Sequence, residues 1–142
     1  MNDQYDLQRF LDAQESVFEK ALSELRNGRK RSHWMWFIFP QLKGLGHSEM
    51  AQRFGISGRE EALAYLHHPC LGARLESCSR ALLQWRHRSA TDIMGSPDDL
   101  KLRSSMTLFA SVAPENPLFA QVIEAFFAGK PDSATVTRLG QS

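Results

Sequence analysis

Residues 7–28 read LQRFLDAQESVFEKALSELRNG, and their apolar side chains recur every three or four positions. This spacing places one broad apolar stripe on one face of a single α-helix of about five turns. Glu15, Glu19 and Glu24 are expected on the outside of that helix. Gly28 stands where a helix takes its left-handed terminal residue. The segment therefore predicts a long amphipathic helix that packs against a core.

Start and stop signals divide the rest of the chain into further helices. The predicted start signals are Ser48, a capping box of Ser57 with Glu60, Ser96 as N-cap before Pro97 and the two aspartates after it, Asn116 with Pro117, and Asp132 or Ser133. Prolines or glycines come after the apolar segments and end them. Residues 34–40 form an aromatic run too short to assign by periodicity, so we expect a buried irregular or short helical stretch there.

No alternating strand pattern, internal repeat or low-complexity linker interrupts this series. The sequence predicts a mainly α protein, a single-domain orthogonal bundle of six or seven helices over residues 1–142. A chain of 142 residues has room for one core. The expected helix that contains Cys78 keeps it about 12 Å from Cys70, so both thiols are expected to be reduced.

Composition bounds the function classes. Hydrophobic residues make up 42% and charged residues 23% of the chain, which is ordinary for a globular domain. No apolar run approaches the ~20 residues that cross a bilayer, and the first residues do not resemble a signal peptide, so we expect a cytoplasmic domain without a membrane partner. The net charge of +1 argues against a nucleic-acid binder held by bulk charge.

Several motifs that announce a known chemistry are missing. The chain has no phosphate-binding loop of the Gly-x-x-x-x-Gly-Lys type, no dinucleotide fingerprint, no nucleophile elbow and no His-Glu-x-x-His pair. The string His67-His68-Pro69-Cys70 resembles a metal motif only superficially, because adjacent helical side chains diverge by about 100° and the chain lacks a second ligand pair. We therefore expect no metal and no cofactor.

The segment 28–48 has a composition that scaffolding alone does not require. Arg29, Lys30, Arg31 and Lys43 supply four cations around the aromatic run. Gly44 and Gly46 would let backbone N–H groups approach an anion. In the same segment Ser48 is expected to begin a helix whose positive end points at the same place. Trp34 and Trp36 could stack a flat ring, although tryptophans beside phenylalanines are more often core residues. His33 and His47 are the candidates for proton transfer, because histidine titrates near neutrality.

A second candidate segment is 98–107. Asp98 lies in the first turn of a helix, where a carboxylate also stabilises the helix dipole. Lys101 and Ser105 are one turn apart and could meet one ligand. The hydroxyls of Ser104 and Ser105, followed by that of Thr107, are less expected inside a helix. If that face is buried instead, the hydroxyls are expected to bond back to helix carbonyls.

Four strings of the sequence resemble a family of small bacterial and fungal α-helical proteins of unknown function, often mislabelled "calpastatin". They are GRKRSHWMWFIFPQ (28–41), GLGHS (44–48), HPCLGARL (68–75) and PDDLKLRSSMTLF (97–109). The resemblance implies a mainly helical fold and no particular activity. The family's signature residues fall in the two candidate segments at His33, Trp34, Trp36, Gln41, Gly44, Gly46, Ser48, Asp98, Lys101, Ser104, Ser105 and Thr107. A fainter similarity, to the ADP-ribose-processing NADAR proteins, bears only on the choice of ligand.

These observations support two hypotheses of different kinds. In the first, the two segments share a pocket that binds or hydrolyses a phosphate-bearing small molecule, such as a nucleotide or ADP-ribose derivative. Arg29, Arg31 and Lys43 would then hold phosphate, a tryptophan would stack the ring and a histidine would move a proton. In the second, the chain is a non-catalytic protein-interaction module. RNA binding through Arg29 and its neighbours is a weaker third hypothesis, whose sign would be a steep salt dependence.

Overall fold

The computed structural model describes residues 3–140, and within them the chain forms ten helices and a single isolated parallel bridge between Leu42 and Ile56. The helices are α1 (Gln8–Glu15), α2 (Phe18–Arg26), α3 (Met35–Ile38), α4 (Glu49–Arg53), α5 (Arg59–His67), α6 (Leu71–Leu83), α7 (Ala90–Met94), α8 (Asp98–Val112), α9 (Leu118–Phe127) and α10 (Ser133–Leu139). The mainly α class is thus confirmed. The orthogonal arrangement of the helices stays a prediction.

The expected count of six or seven helices is wrong, and one reason lies at the N-terminus. The predicted single helix breaks at Ser16 and Val17, where Val17 has a non-helical φ of −124°. The apolar stripe continues across the break, but its two halves pack on different partners, α1 against α3 and α2 against α6. The short helix α7 was also not predicted, although Ser89 caps it by accepting a hydrogen bond from the Asp92 backbone N–H.

Some of the predicted caps are confirmed in detail. Ser48 accepts a hydrogen bond from the Ala51 backbone at the start of α4, and Asp132 accepts one from the Thr135 backbone at the start of α10. Gly28, shortly after the end of α2, has a φ of +74°, as its position predicted. The side chains of Ser48 and Asp132 therefore satisfy helix N–H groups that would otherwise lack an intrahelical partner.

Two predicted caps are wrong. Ser57 does not form a capping box with Glu60; its backbone N–H and its hydroxyl both donate to Glu61. Glu61 is the better partner because it is buried and also accepts from Arg9. Ser96 is not the N-cap of α8, because the helix begins one residue later and Pro97 occupies the cap position.

Helix α8 lies at the centre of the molecule. It contacts α5, α7, α9 and α10, and its residues 104–109 are all buried. A helix that is covered on every side cannot show an amphipathic stripe, which is why its sequence mixes serines with large apolar residues. The first turn of α8, which contains Asp98 and Lys101, reaches the surface. The core therefore fixes the position of the end of α8 that matters for the candidate site.

Both cysteines are free thiols, as expected. Cys78 lies in α6 within the core, and burial raises the pKa of its thiol to about 12. A thiol with so high a pKa has almost no thiolate at neutral pH and is inert towards oxidation and metals.

We predict that Gly28→Ala destabilises the protein by about 3 kcal/mol, measured by denaturant unfolding. A left-handed φ costs an alanine ~1–2 kcal/mol, and its methyl group would also meet the Trp85 ring at 2.8 Å at an overpacking cost of ~1–3 kcal/mol. Gly129→Ala is the matched control. Gly129 has nearly the same φ, +73°, but its methyl group would meet only the end of the exposed Glu124 side chain. Equal losses for the two variants would contradict the packing role of Gly28.

Candidate functional site

The first candidate segment is organised around the carboxylate of Glu24, near the end of α2. Its two oxygens accept hydrogen bonds from the Arg31 and Ser32 backbone N–H groups, at 2.8 and 3.1 Å, and from the Ser32 hydroxyl at 2.7 Å. The indole N–H of Trp34 donates a further bond of 2.9 Å. Glu24 is only 6% exposed, so its expected place on the outer face of the helix was wrong. The turn at 31–34 folds over it instead.

The ionised form of Glu24 is the stable one. Burial alone raises the pKa of this carboxyl, but the hydrogen bonds from Arg31, Ser32 and Trp34 oppose burial and bring the pKa down from 4.5 to about 2. A carboxylate with four donors is therefore a fixed negative charge at any physiological pH. Its hydrogen bonds tie residues 31–34 to the end of α2.

Trp34 is part of this core and is not open to a ligand. It is 1% exposed, its ring lies 6.2 Å from that of Phe39, and its indole N–H is used by Glu24. The Lys30 ammonium lies 4.9 Å from the centre of its ring. Trp34 is therefore a core residue, and Trp36 is the candidate that could still stack against a ligand ring.

A chain of charges joins the two candidate segments. Lys30 forms an ion pair of 2.8 Å with Asp98, and Lys101 lies 3.6 Å from the other oxygen of the same carboxylate. The Lys101 ammonium also lies 5.0 Å from the centre of the Trp36 ring. Segments 28–48 and 98–107 therefore meet. We call the group Lys30, Asp98, Lys101 and Trp36 the lysine–aspartate cluster.

The charge of this cluster is not balanced. Two ammonium groups share one carboxylate, and the side chains of Lys30, Asp98 and Lys101 are only 8%, 20% and 27% exposed. A partly desolvated positive charge is costly unless an anion accompanies it. The cluster therefore has one more ammonium than carboxylate, with the Lys30 ammonium also donating a 2.7 Å hydrogen bond to the Ser32 carbonyl and the Lys101 ammonium next to the Trp36 ring.

Trp36 is half-buried, and its other neighbours form a small cavity. Gln41, Gly46, Met50 and Phe54 line this cavity with it. A probe of water size has about 10 Å³ of free volume there, which is room for one water molecule and not for a nucleobase. A ligand of nucleotide size would have to lie over the cluster at the surface.

The predicted glycine loop, residues 43–48, packs against other parts of the protein. Gly44 has a φ of +99°, and the Arg138 guanidinium packs where its side chain would be. Arg138 donates a 2.7 Å hydrogen bond to the Lys43 carbonyl, and the Lys43 N–H donates to Ile56. Lys43 is exposed on this side of the loop, with its backbone fixed by α10 and by the bridge.

The remaining candidate side chains at the surface are unoriented. Arg29, Arg31, His33 and His47 are all exposed. Within residues 3–140 no carboxylate lies within ion-pairing distance of Arg29 or Arg31, and neither imidazole has a hydrogen-bond partner. Arg31 and His33 flank Ser32, whose hydroxyl and backbone are tied to Glu24, so both start from a fixed backbone.

The hydroxyls of α8 are buried. Thr107 donates to the Arg103 carbonyl at 2.8 Å, as expected for a buried helical hydroxyl, and it accepts from the Asp132 backbone. Ser104 is 8% exposed. Ser105 is fully buried, and its Oγ is the one buried side-chain oxygen or nitrogen in the described residues without a hydrogen-bond partner. It lies one helical turn below Lys101.

Sequence reasoning missed Glu24 and named Lys30 only as one of four cations in segment 28–48, without assigning it to the site. Helical periodicity predicts a solvent-facing Glu24 because it takes no account of the turn beyond the helix end. Lys30 belongs to a run of basic residues, and nothing local distinguishes it from Arg29 and Arg31. The sequence pointed to Lys30 only in one indirect way: a basic run and an acidic helix start at Asp98 have opposite charges and could attract each other.

The chain belongs to a family described as a protein of unknown function, DUF1810, whose model matches residues 4–139. A solved structure, the crystal structure of the conserved hypothetical protein Rv1873 from Mycobacterium tuberculosis, is 51% identical in sequence and superposes with a TM-score of 0.95. The match covers 97% of this chain and 99% of that one. No curated protein matches the chain. Neither the family description nor the solved structure assigns an activity. Across residues 3–140 no helix is both long and apolar enough to span a bilayer.

We predict that Glu24→Gln lowers the free energy of unfolding by about 2–3 kcal/mol at neutral pH, measured by chemical denaturation. The amide keeps one acceptor oxygen but turns an NH₂ group towards donors. Glu15→Gln is the control, since Glu15 is exposed, and it should change stability by less than about 0.5 kcal/mol. Equal effects of the two substitutions would contradict the role of Glu24.

The same substitution leads to a pH prediction. Because the pKa of Glu24 falls from 4.5 to about 2 on folding, its contribution is complete above pH 4.5 and is lost as the pH falls towards 2. The stability difference between the unsubstituted protein and Glu24→Gln should therefore shrink across that interval. Denaturation curves at a series of acidic pH values measure it, and a constant difference would refute the pKa assignment.

Proposed function

We propose that this protein binds a phosphate-bearing small molecule of the nucleotide type over the lysine–aspartate cluster. The ligand's phosphate would contact the ammonium groups of Lys30 and Lys101, whose charges the single carboxylate of Asp98 does not fully neutralise. Its ring would lie on the accessible part of Trp36. Arg31 and His33, on the neighbouring turn, would add positive charge and hydrogen-bond donors at the rim.

The observation that carries the proposal is the sharing of one carboxylate by two poorly exposed lysines, at 2.8 and 3.6 Å. One cation is enough to neutralise a carboxylate, and a second partly buried ammonium adds a desolvation cost. An anion that arrives from solution would offset this cost. Phosphate suits two ammonium groups because it offers several acceptor oxygens and more than one negative charge.

The aromatic neighbour points to a phosphate that is attached to a ring. Lys101 already lies over the Trp36 ring at 5.0 Å, so a ligand held by this ammonium is brought to the same ring. Stacking of a base on an indole contributes ~1–3 kcal/mol. The faint NADAR resemblance makes ADP-ribose a sensible member of the test panel.

The proposal stops at binding. A general base needs a partner that orients it, and the imidazoles of His33 and His47 are exposed without one among residues 3–140. We therefore propose binding without hydrolysis. Lys43 and His47 belong to the loop that is held by α10 and by the bridge. We therefore assign the phosphate to the lysine–aspartate cluster rather than to this loop.

The test is calorimetric titration with inorganic phosphate, AMP, ADP and ADP-ribose. We expect Lys101→Gln to weaken binding about tenfold, because it removes a charge-assisted contact. Asp98→Asn should instead strengthen binding, because both ammoniums lose their competing carboxylate. Trp36→Leu should lower the affinity for the nucleotides and leave the affinity for inorganic phosphate unchanged.

Matched variants control for the change in overall charge. Asp99→Asn removes a carboxylate from the same helical turn, but Asp99 accepts from Thr91 and does not pair with a lysine of the described residues. Lys130→Gln removes a cation from an exposed position elsewhere. Both should leave affinity within about twofold of the unsubstituted protein. No heat with any of the four ligands, or weaker binding by Asp98→Asn, would refute the proposal.

A further inference from the structure

We infer that the C-terminal ends of α2 and α6 form a second, separate surface that binds single-stranded nucleic acid. We define this arginine surface by Arg26, Arg29, Arg80 and Arg88. It goes beyond the function proposed above, since none of the four residues belongs to the lysine–aspartate cluster.

The fold brings these arginines together although they come from distant parts of the chain. Helices α2 and α6 pack against each other and run in the same direction. At their N-terminal ends the Arg74 guanidinium lies 4.9 Å from the Phe18 ring, and beyond their C-terminal ends Trp85 donates a 3.1 Å hydrogen bond to the Leu25 carbonyl. Both C-terminal ends therefore lie side by side.

A groove runs along the seam between the two helices. Arg26 and Arg80 line it together with Ser77, Ala81 and Gln84, and its free volume is about 350 Å³. Past the helix ends, Arg88 donates a 2.8 Å hydrogen bond to the Gly28 carbonyl, which brings it beside Arg29. The surface thus runs from the groove to the turn after α2.

The simplest structural explanation is that arginines at helix C-termini satisfy the last carbonyls and the helix dipole. That explanation accounts for Arg88 through its carbonyl bond and for the placement of Arg26 and Arg80 in the last turns of α2 and α6, but not for Arg29, which lies beyond both helices. The Leu25 carbonyl is taken by Trp85, and the Leu83 carbonyl by Arg86. The guanidinium groups of Arg26 and Arg29 are exposed and form no hydrogen bond or ion pair with any of residues 3–140.

The local charge is strongly positive although that of the whole chain is only +1. Arg80 pairs with Glu76 at 3.0 Å, but the Arg80 side chain is 63% exposed, so this pair neutralises little. The cations are all arginines, whose planar fork matches a phosphate oxygen pair. The expectation that a near-neutral chain does not bind nucleic acid rested on total charge, which says nothing about its distribution.

Aromatic side chains lie among these arginines. Trp85 is half-buried, and the exposed ring of His87 lies 6.0 Å from it. Alternating cations and rings are typical of surfaces that track a single strand, because phosphates meet the cations and bases meet the rings. An acidic peptide would use the cations alone. This difference favours a nucleic acid as the partner.

The test is fluorescence anisotropy with a short labelled oligouridylate over a range of salt concentrations. If three arginines displace counterions, the slope of log K against log salt should be about −2. The double variant Arg26→Ser/Arg29→Ser should bind about tenfold more weakly at low salt and should flatten the slope by about 1.4. Arg80→Ser alone should flatten it by about 0.7.

The control Arg59→Ser/Lys130→Ser removes the same charge from exposed positions outside the surface and should match the unsubstituted protein. Arg80→Ser should leave the calorimetric affinity for AMP unchanged, so failure of this inference and failure of the small-molecule site are distinguishable. No binding at low salt, an unchanged slope in the double variant, or equal binding of an oligoglutamate of the same length would overturn the inference.

Discussion

The buried carboxylate of Glu24 fixes the part of the molecule on which the candidate site depends. It accepts four hydrogen bonds from residues 31–34, all between 2.7 and 3.1 Å. These bonds do more than offset the cost of burying the charge, because they also set the course of the chain after α2. Lys30 lies just before this anchored turn, and its ammonium pairs with Asp98 at the start of α8. The anchor thus decides where a cation meets the first turn of α8.

The buried helix α8 is the second constraint on the candidate site, because it positions Asp98 and Lys101. Its middle is buried on all faces, so the helix cannot turn or slide without disturbing the whole core. Its first turn therefore presents Asp98 and Lys101 in fixed directions. The unpartnered hydroxyl of Ser105, one turn below, is a cost inside the otherwise satisfied core of the described residues. Helix α8 carries both buried polar residues and two members of the cluster, Asp98 and Lys101, which links the fold to the site.

The sequence predicts this fold well where local chemistry suffices. The helices after Ser48 and Asp132 begin where short-range capping predicts, and Gly28 takes its left-handed conformation. Prediction fails where a distant partner decides. Glu61 rather than Glu60 pairs with Ser57 because Arg9 is there, and the first helix breaks because its halves pack on different elements.

The candidate site shows the same division. The two segments were recognisable separately, as a basic aromatic run and an acidic helix start. Their contact through Lys30 and Asp98 was not, because nothing local in either segment specifies the other as its partner. The family resemblance marked both segments but not the buried residue, Glu24, that orients the first one.

The distribution of charge has the same origin as the anchor. The sequence has 17 basic and 16 acidic side chains, and a sum near zero would suit a featureless surface. The fold instead takes acidic side chains inward, where Glu24 and Glu61 accept from backbone and arginine donors. Glu61 pairs with Arg9, but Glu24 is bound by neutral donors alone, so its burial removes one negative charge from the surface without removing a cation. Arg26 and Arg29 lie at the end of the very helix that turns Glu24 into the core. The positive surface and the buried anchor are therefore two consequences of the same arrangement of α2.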